Sequence, residues 1–241
     1  MFASSPRSSE LRNSILRRLA PADLDCMRPF LSFIPLKEGV VLEEPQRRVQ
    51  NIDFIETGVV SLTVRAASII VETAMVDFHG AVGFSVALGA NLSAHRSTVL
   101  FAGMALRISA DNLVRCMDER PRIRDNILRF VHSFIVHSTQ TTLCGVRHDL
   151  ESRLACWLCL VCDALNSSSL AITHDQLSEI LGLRRASVTN TLLGFEEQRL
   201  VDKTRGVLRI RDRRLLRQKA CCCYDIISSA HNTKEPGLVC T

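Results

Sequence analysis

The sequence predicts an α+β protein: a run of antiparallel strands, then a long helix, then a C-terminal winged helix-turn-helix. Three observations predict it. From residue 31 to about 110, short apolar runs (FLSFIPL, VVLEE, NIDFIETGVVSLTV, SIIVETAMV, STVLFAGMALRIS) alternate with turns, and glycines fall at 39, 58, 80, 83, 89 and 103. Strands of that length suit a β-sandwich or β-roll. Pro121 then opens a stretch to Leu150 with no further proline and one glycine, Gly145. Residues 173–211 read as two short amphipathic helices, a glycine turn and a basic hairpin.

Before the strands, residues 1 to about 30 read as one or two amphipathic helices. Leu11, Ile15, Leu16 and Leu19 share a face, and Pro21 breaks it. The long helix carries a broad apolar stripe of Ile123, Ile127, Phe130, Val131, Phe134 and Ile135, followed by the polar run HSTQTT. His132, His137 and His148 on or near it read as surface or interface residues, since nothing orders them into a site. The chain shows no internal repeat, and from Ile226 to Thr241 no periodic pattern, which suits a loosely packed tail.

The C-terminal motif has the most local chemistry. Thr173 and Gln176 have capping-box spacing, and Leu177, Ile180 and Leu181 follow at helical intervals. Gly182 stands where a left-handed helix end favours a residue without Cβ. A second helix starts near Arg184 or Arg185, with Val188, Leu192, Leu193 and Phe195 inward and Arg185, Ala186, Thr189 and Asn190 outward. Leu200–Val201 and Val207–Ile210 flank a polar turn, and Asp212 starts a last helix carrying Leu215 and Leu216. Residues 170–220 hold eleven basic and six acidic residues, a surplus equal to the net charge of +5 of the whole chain. Such a surface attracts phosphates, and this helical arrangement places one short helix in the major groove of DNA.

Composition bounds the rest. The chain has 241 residues, 46% hydrophobic and 23% charged, which is ordinary for a globular protein with a sizeable core. Its start is polar and basic rather than leader-like, and no run approaches a membrane span, so the expected location is the cytoplasm. Ten cysteines there are expected to be mostly thiols. The chain has no nucleophile elbow, phosphate-cradling glycine loop or HExxH, so no enzyme activity, cofactor or metal is assigned.

The residues Leu177, Ser178, Leu181, Gly182, Arg185, Ser187, Val188, Asn190, Leu192, Leu193, Leu200, Val201, Gly206, Ile210 and Asp212 resemble the DNA-binding domain of the Crp/Fnr family of bacterial transcription regulators. The resemblance extends more weakly over nearly the whole chain, with Glu56–Ser61 as its clearest N-terminal match, read as the opening of a strand. It implies an antiparallel, cyclic-nucleotide-binding-like β-roll sensor over residues 1–120, a dimerisation helix over 121–150, a winged helix-turn-helix over 151–225 and a tail over 226–241. By family position, Arg185, Ala186 and Asn190 face base edges. Arg184, Ser187, Thr189 and Arg205 read as phosphate contacts that set register. Many members carry an acid at Ala186 and an arginine at Asn190, so the departures bear on the target sequence. The implied partners are operator DNA, a second copy of the chain, RNA polymerase if it activates, and an unknown small-molecule effector.

Sensing departs from the family further. Members that bind cyclic nucleotide hold the ribose with a Gly-Glu pair and the phosphate with an Arg-Ser/Thr pair. Here Gly83-Phe84-Ser85 has no carboxylate, while Arg96 and Ser97 remain as candidate effector contacts, so tight cyclic AMP binding is not expected. The iron–sulfur members carry an N-terminal cysteine cluster where this chain has only Cys26. Cys156, Cys159 and Cys162 sit at steps of three on a predicted buried helix and read as packing, as do Cys221, Cys222 and Cys223. A regulator that couples a signal to DNA through its dimer helix is the expectation. The alternative is a ligand or redox sensor acting through protein partners, with the helix-turn-helix as a packing module.

Overall fold

The computed structural model describes residues 11–66, 69–204 and 206–231. They form two compact units, one of residues up to Leu62 with Met75–Phe134, the other of Thr63–Ala74 with the chain from Ile135 onward.

The first unit is the predicted roll. The strands are β1 (Ser32–Leu36), β2 (Val41–Glu43), β3 (Asn51–Ala66), β4 (Ile69–Val76), β5 (Ala81–Val82) and β6 (Arg96–Ser109), the adjoining ends of β3 and β4 (residues 63–66 and 69–74) belonging to the second unit. They pair in the order β1-β6-β3-β4, with β2 added to β6 and β5 to β3. β1 runs antiparallel to β6 from Ser32↔Arg107 to Leu36↔Gly103. Alternation along β3 buries Ile52, Phe54, Val60 and Leu62, with Ile55 and Val59 inside as well. Glu56–Ser61 lies in the middle of β3 and does not open a strand. Gly58 has a φ of 88°, and a Cβ there would meet the Phe101 carbonyl oxygen at 2.5 Å, so β3 and β6 approach too closely for any side chain.

Two short helices precede the roll, α1 (Ser14–Arg17) and α2 (Pro21–Met27). Leu11, Ile15, Leu16 and Leu19 are all buried, as their shared face predicts. Pro21 ends one helix and also opens the next, where its missing N–H costs nothing. The fastening is polar. Buried Asn13 caps α1 by accepting from the Ile15 and Leu16 N–H groups, and its amide donates to the carbonyls of Ile55 (2.9 Å) and Gly80 (2.8 Å). The Glu56 carboxylate accepts the backbone N–H groups of Arg12 and Asn13. A bidentate Arg107–Asp53 pair, at 2.6 and 2.7 Å, ties β6 to β3.

One helix escaped the sequence reading. α3 (Ala110–Glu119) directly follows β6, capped by the Ser109 hydroxyl, with Leu113, Cys116 and Met117 buried. The long helix is α4 (Pro121–Arg147). Ile123, Ile127, Phe130, Val131 and Phe134 are buried as expected, but Ile135 is 55% exposed. It stands one residue, about 100° of helix rotation, past Phe134 and so off the stripe.

In the second unit, α5 (Leu150–Leu165) is apolar almost all round, with nine buried residues from Leu154 to Ala164. The Asp149 carboxylate caps it by accepting the Ser152 N–H at 2.8 Å. Around it lie α6 (His174–Leu181), α7 (Arg185–Glu197), α8 (Arg213–Lys219), α9 (Cys223–His231) and a three-stranded sheet of β7 (Ser169–Leu170), β8 (Val201–Thr204) and β9 (Val207–Ile210) in the order β7-β9-β8. The expected patternless tail therefore begins as helix: Ile226, Ile227 and Ala230 of α9 are buried. The rest of that tail lies outside the described residues. Among the described residues, no helix is long and apolar enough to cross a membrane.

Replacing Asn13 with Ala removes a cap and the amide's two buried hydrogen bonds, to the carbonyls of Ile55 and Gly80, the latter keeping the Ile55 N–H. A loss of about 2–4 kcal/mol is expected in denaturant unfolding, with Asn13→Asp restoring only the cap. A loss under about 1 kcal/mol would mean that the apolar face alone holds the N-terminal helices.

Candidate nucleic-acid interface

The helix-turn-helix is built by its caps. Thr173 and Gln176 form the predicted capping box on α6. Gly182 takes the left-handed conformation, with φ 64° and ψ 38°. Its N–H and that of Leu183 close back on the carbonyls of Glu179 and Ser178 at 3.1 and 2.8 Å. This turn sets the angle between α6 and α7. Leu177, Ile180 and Leu181 of α6 and Val188, Leu192 and Phe195 of α7 are buried. Leu193 is not: it is 45% exposed, one residue round from Leu192.

The outward face of α7 holds most of the expected reading residues. Arg184, Arg185, Ala186 and Asn190 are exposed, while Ser187 and Thr189 are half-buried. Arg185 Nε lies 3.0 Å from Asp175 Oδ1, with both side chains about two-thirds exposed. The Thr189 hydroxyl is within 2.8 Å of His174 Nδ1. Burial, with Lys203 and Arg185 close by, holds His174 below its ordinary pKa. It is therefore neutral at physiological pH and can accept the hydroxyl proton. No side chain caps the N-terminus of α7. Thr173, Asp175, Arg185, Thr189, Lys203 and Gly206 line an open cleft between α6, α7 and the hairpin. Arg205, expected as a phosphate contact, lies outside the described residues.

The basic run is less free than its count suggests. Arg211 pairs with Asp202 at 2.7 Å, Arg217 with Asp225 at 2.6 Å, Lys219 with Glu151 at 2.9 Å, and Arg213 with Asp163. Among the described basic residues of the stretch 170–220, Arg184, Arg199, Lys203, Arg209 and Arg214 carry no ion pair. These five, rather than the whole run, are the cations open to a phosphate.

The sensor residues separate. Ser97 is fully buried in β6 and donates its hydroxyl to Glu43 Oε2 at 2.8 Å. Arg96 is about half exposed and pairs with Glu44 Oε1 at 3.3 Å. Phe84 turns its ring against Phe134 (centroids 4.6 Å) and Phe130 (5.6 Å) of α4. Cys156, Cys159 and Cys162 are buried in α5, and burial pushes Cys159 up to about 12 and Cys162 to about 11, so both stay protonated and inert. Sequence reasoning missed Cys144 altogether and took His148 for a surface or interface residue. The structure places both beside Cys221 and Cys223. The signals were present: a Cys-x3-His pair at the end of a predicted helix, and a Cys-x-Cys pair about 75 residues on.

Residues 152–219 match the Crp-like helix-turn-helix domain. No curated protein matches the chain. Among solved structures it is similar to a putative transcriptional regulator of the Crp/Fnr family from Eubacterium rectale, at 15% identity and a TM-score of 0.67, over 86% of this chain and 98% of that one. It is also similar to FixK2 from Bradyrhizobium japonicum, at 11% identity and a TM-score of 0.67, over 80% and 98%. A putative cAMP-binding regulatory protein from Silicibacter pomeroyi shares 19% identity and a TM-score of 0.59, over 87% and 95%. With its strand order, long helix and capped α6–α7 pair, the chain has the Crp/Fnr regulator fold, a cyclic-nucleotide-binding-like roll followed by a Crp-like helix-turn-helix domain.

Proposed function

We propose that the chain is a dimeric, sequence-specific DNA-binding transcription regulator. The observation that carries this is α7, which presents Arg185, Ala186 and Asn190 outward from a helix held by buried Val188, Leu192 and Phe195. Arg185 can fork onto a guanine and Asn190 onto an adenine. The Arg185–Asp175 pair does not oppose this. An exposed pair of that kind contributes roughly 0.2–1 kcal/mol, against about 1–3 kcal/mol for a good base contact. The uncapped N–H groups of α7 suit a backbone phosphate. Arg184 and Ser187 lie at that end of α7, Lys203 lines the cleft beside Arg185, and Thr189 and Arg205 complete the set inferred from the family.

Dimerisation is inferred from α4. Leu128, Ile135 and Val146 are exposed, and at 100° per residue they fall on one line, with Thr139 and Thr142 between. That apolar seam lies away from the buried stripe and suits a twin helix. One α7 reads a half-site, so a two-fold pair reads two half-sites a helical turn apart. The signal is inferred to pass along α4 as a shift between two arrangements of the helix pair.

The effector is inferred to be other than cyclic AMP. A phosphate at Arg96 and Ser97 would have to displace both Glu43 and Glu44, and the residue at the sugar position is the aromatic Phe84. Burial pushes Glu43 above 4.5, with the hydrogen bonds from Ser97, Ser93 and Gly83 opposing and Asp53 adding to the rise. A carboxyl whose folded pKa is raised contributes most below its unfolded value, and that stability is lost as pH climbs through the folded value.

Four measurements check this reading. In fluorescence anisotropy with the chain's own operator, Arg185→Ala should cost about 1–3 kcal/mol and relax preference at one base position, whereas Lys203→Ala should weaken all sequences alike and lower the salt slope by about 1. Equal weakening by both, with base preference unchanged, would move Arg185 to the backbone. Ile135→Glu with Val146→Glu should give a monomer by light scattering and abolish tight operator binding; a dimer that survives both charges would place the interface elsewhere. Glu43→Gln should raise the melting temperature at neutral pH, with the gain vanishing below pH 4.5, and cyclic AMP should give no saturable heat at micromolar concentration. A pH-independent gain, or saturable heat, would refute the account of the roll.

A further inference from the structure

The last turn of α4 and the start of α9 bring four metal-binding side chains together. Cys144 lies in that last turn, His148 one turn beyond it, Cys221 in the link after α8, and Cys223 at the first position of α9. One ligand atom from each lies within 4.8 Å of all the others. Cys144 Sγ is 3.4 Å from Cys221 Sγ, and Cys223 Sγ is 3.6 Å from His148 Nδ1. The other ring nitrogen, Nε2, faces Cys222 at 3.9 Å, so Nδ1 is the nitrogen turned into the cluster. With metal–sulfur bonds of about 2.3 Å and metal–nitrogen bonds of about 2.0 Å, the edges of a tetrahedral zinc site are about 3.5–3.8 Å. Two edges are thus already near that length, and the widest needs about 1 Å of closure.

Simple packing of thiols as small apolar groups accounts for Cys159 and Cys162, which meet no such group of ligand atoms. It does not account for three sulfurs and an imidazole nitrogen converging from two parts of the chain about 75 residues apart. The surroundings suit a bound ion. Cys144 and Cys223 sit in a cluster with buried Cys156 and Ile227, closed over by Leu160 and Tyr224, while His148 remains half-exposed as a route in. Three sulfurs and one nitrogen select a thiophilic cation over magnesium or calcium.

We propose that Cys144, His148, Cys221 and Cys223 form a Cys3His site for a divalent cation of the zinc class, which fastens the end of α4 to the link between α8 and α9. The ion would hold the break between α4 and α5, at His148–Asp149, against the helices that follow the wing. Its ligands bind as thiolates and neutral imidazole, so loading releases protons.

The test uses the full chain, purified under reducing conditions without chelator or metal-affinity tag. Elemental analysis should find about one zinc per chain. After stripping, cobalt(II) should give the visible bands of a tetrahedral ion with thiolate charge transfer. Cys221→Ser and His148→Gln should each weaken cobalt binding at least about tenfold, and Cys159→Ser should leave it unchanged. If Cys221→Ser fails to fold by circular dichroism, His148→Gln decides, because its position is half-exposed. A folded chain with intact thiols that retains no zinc and gives no cobalt spectrum overturns the proposal. Unchanged cobalt affinity in the folded ligand variants overturns it equally.

Discussion

The second unit depends on the burial of α5. A helix apolar on nearly every side has no solvent face of its own, so it is stable only when other elements cover it. α7, α8 and α9 do so, and the part of β4 that belongs to this unit joins them through a buried hydrogen bond of 2.8 Å from Trp157 Nε1 to Glu72. The outward face of α7 is a consequence of that inward demand. Once Val188, Leu192 and Phe195 are committed to the core, helix periodicity leaves Arg185, Ala186 and Asn190 outside.

The same logic reaches the roll. β3 and β6 run close together because neither Gly58 nor Gly103 carries a side chain, and Arg107 and Asp53 lock them in register. The two ends of β6 differ in character. Its start carries Arg96 and Ser97, already engaged with carboxylates, and its end feeds directly into α3 through the Ser109 cap. At that start the cation and the hydroxyl are both matched by carboxylates, Glu44 and Glu43, while Phe84 makes an aromatic contact to α4.

What could be read from the sequence followed from how local each signal was. The capping box, Gly182 and the α7 face were legible because each is set within four residues. The buried stripe of α4 was legible as far as Phe134, while Ile135 and Leu193 were misassigned because an apolar residue adjacent to a stripe looks like part of it. α3 was hidden because its ten residues directly follow a long strand with no turn between. Ion pairing of the basic run could not be read, since Asp163, Glu151 and Asp225 reach Arg213, Lys219 and Arg217 only through the fold. The thiol–imidazole group was missed for the same reason, its halves being far apart in sequence.

If α7 reads DNA as proposed, the pairing of Arg185 with Asp175 has a consequence for search along a genome. A guanidinium parked on its own carboxylate gains little from any single phosphate it passes, because the attraction offered must first replace one already present. Only a partner that supplies two well-placed acceptors at once compensates for that exchange. On that reading the carboxylate on α6 would act as an internal competitor, muting adhesion to random duplex and widening the gap between a wrong site and the right one.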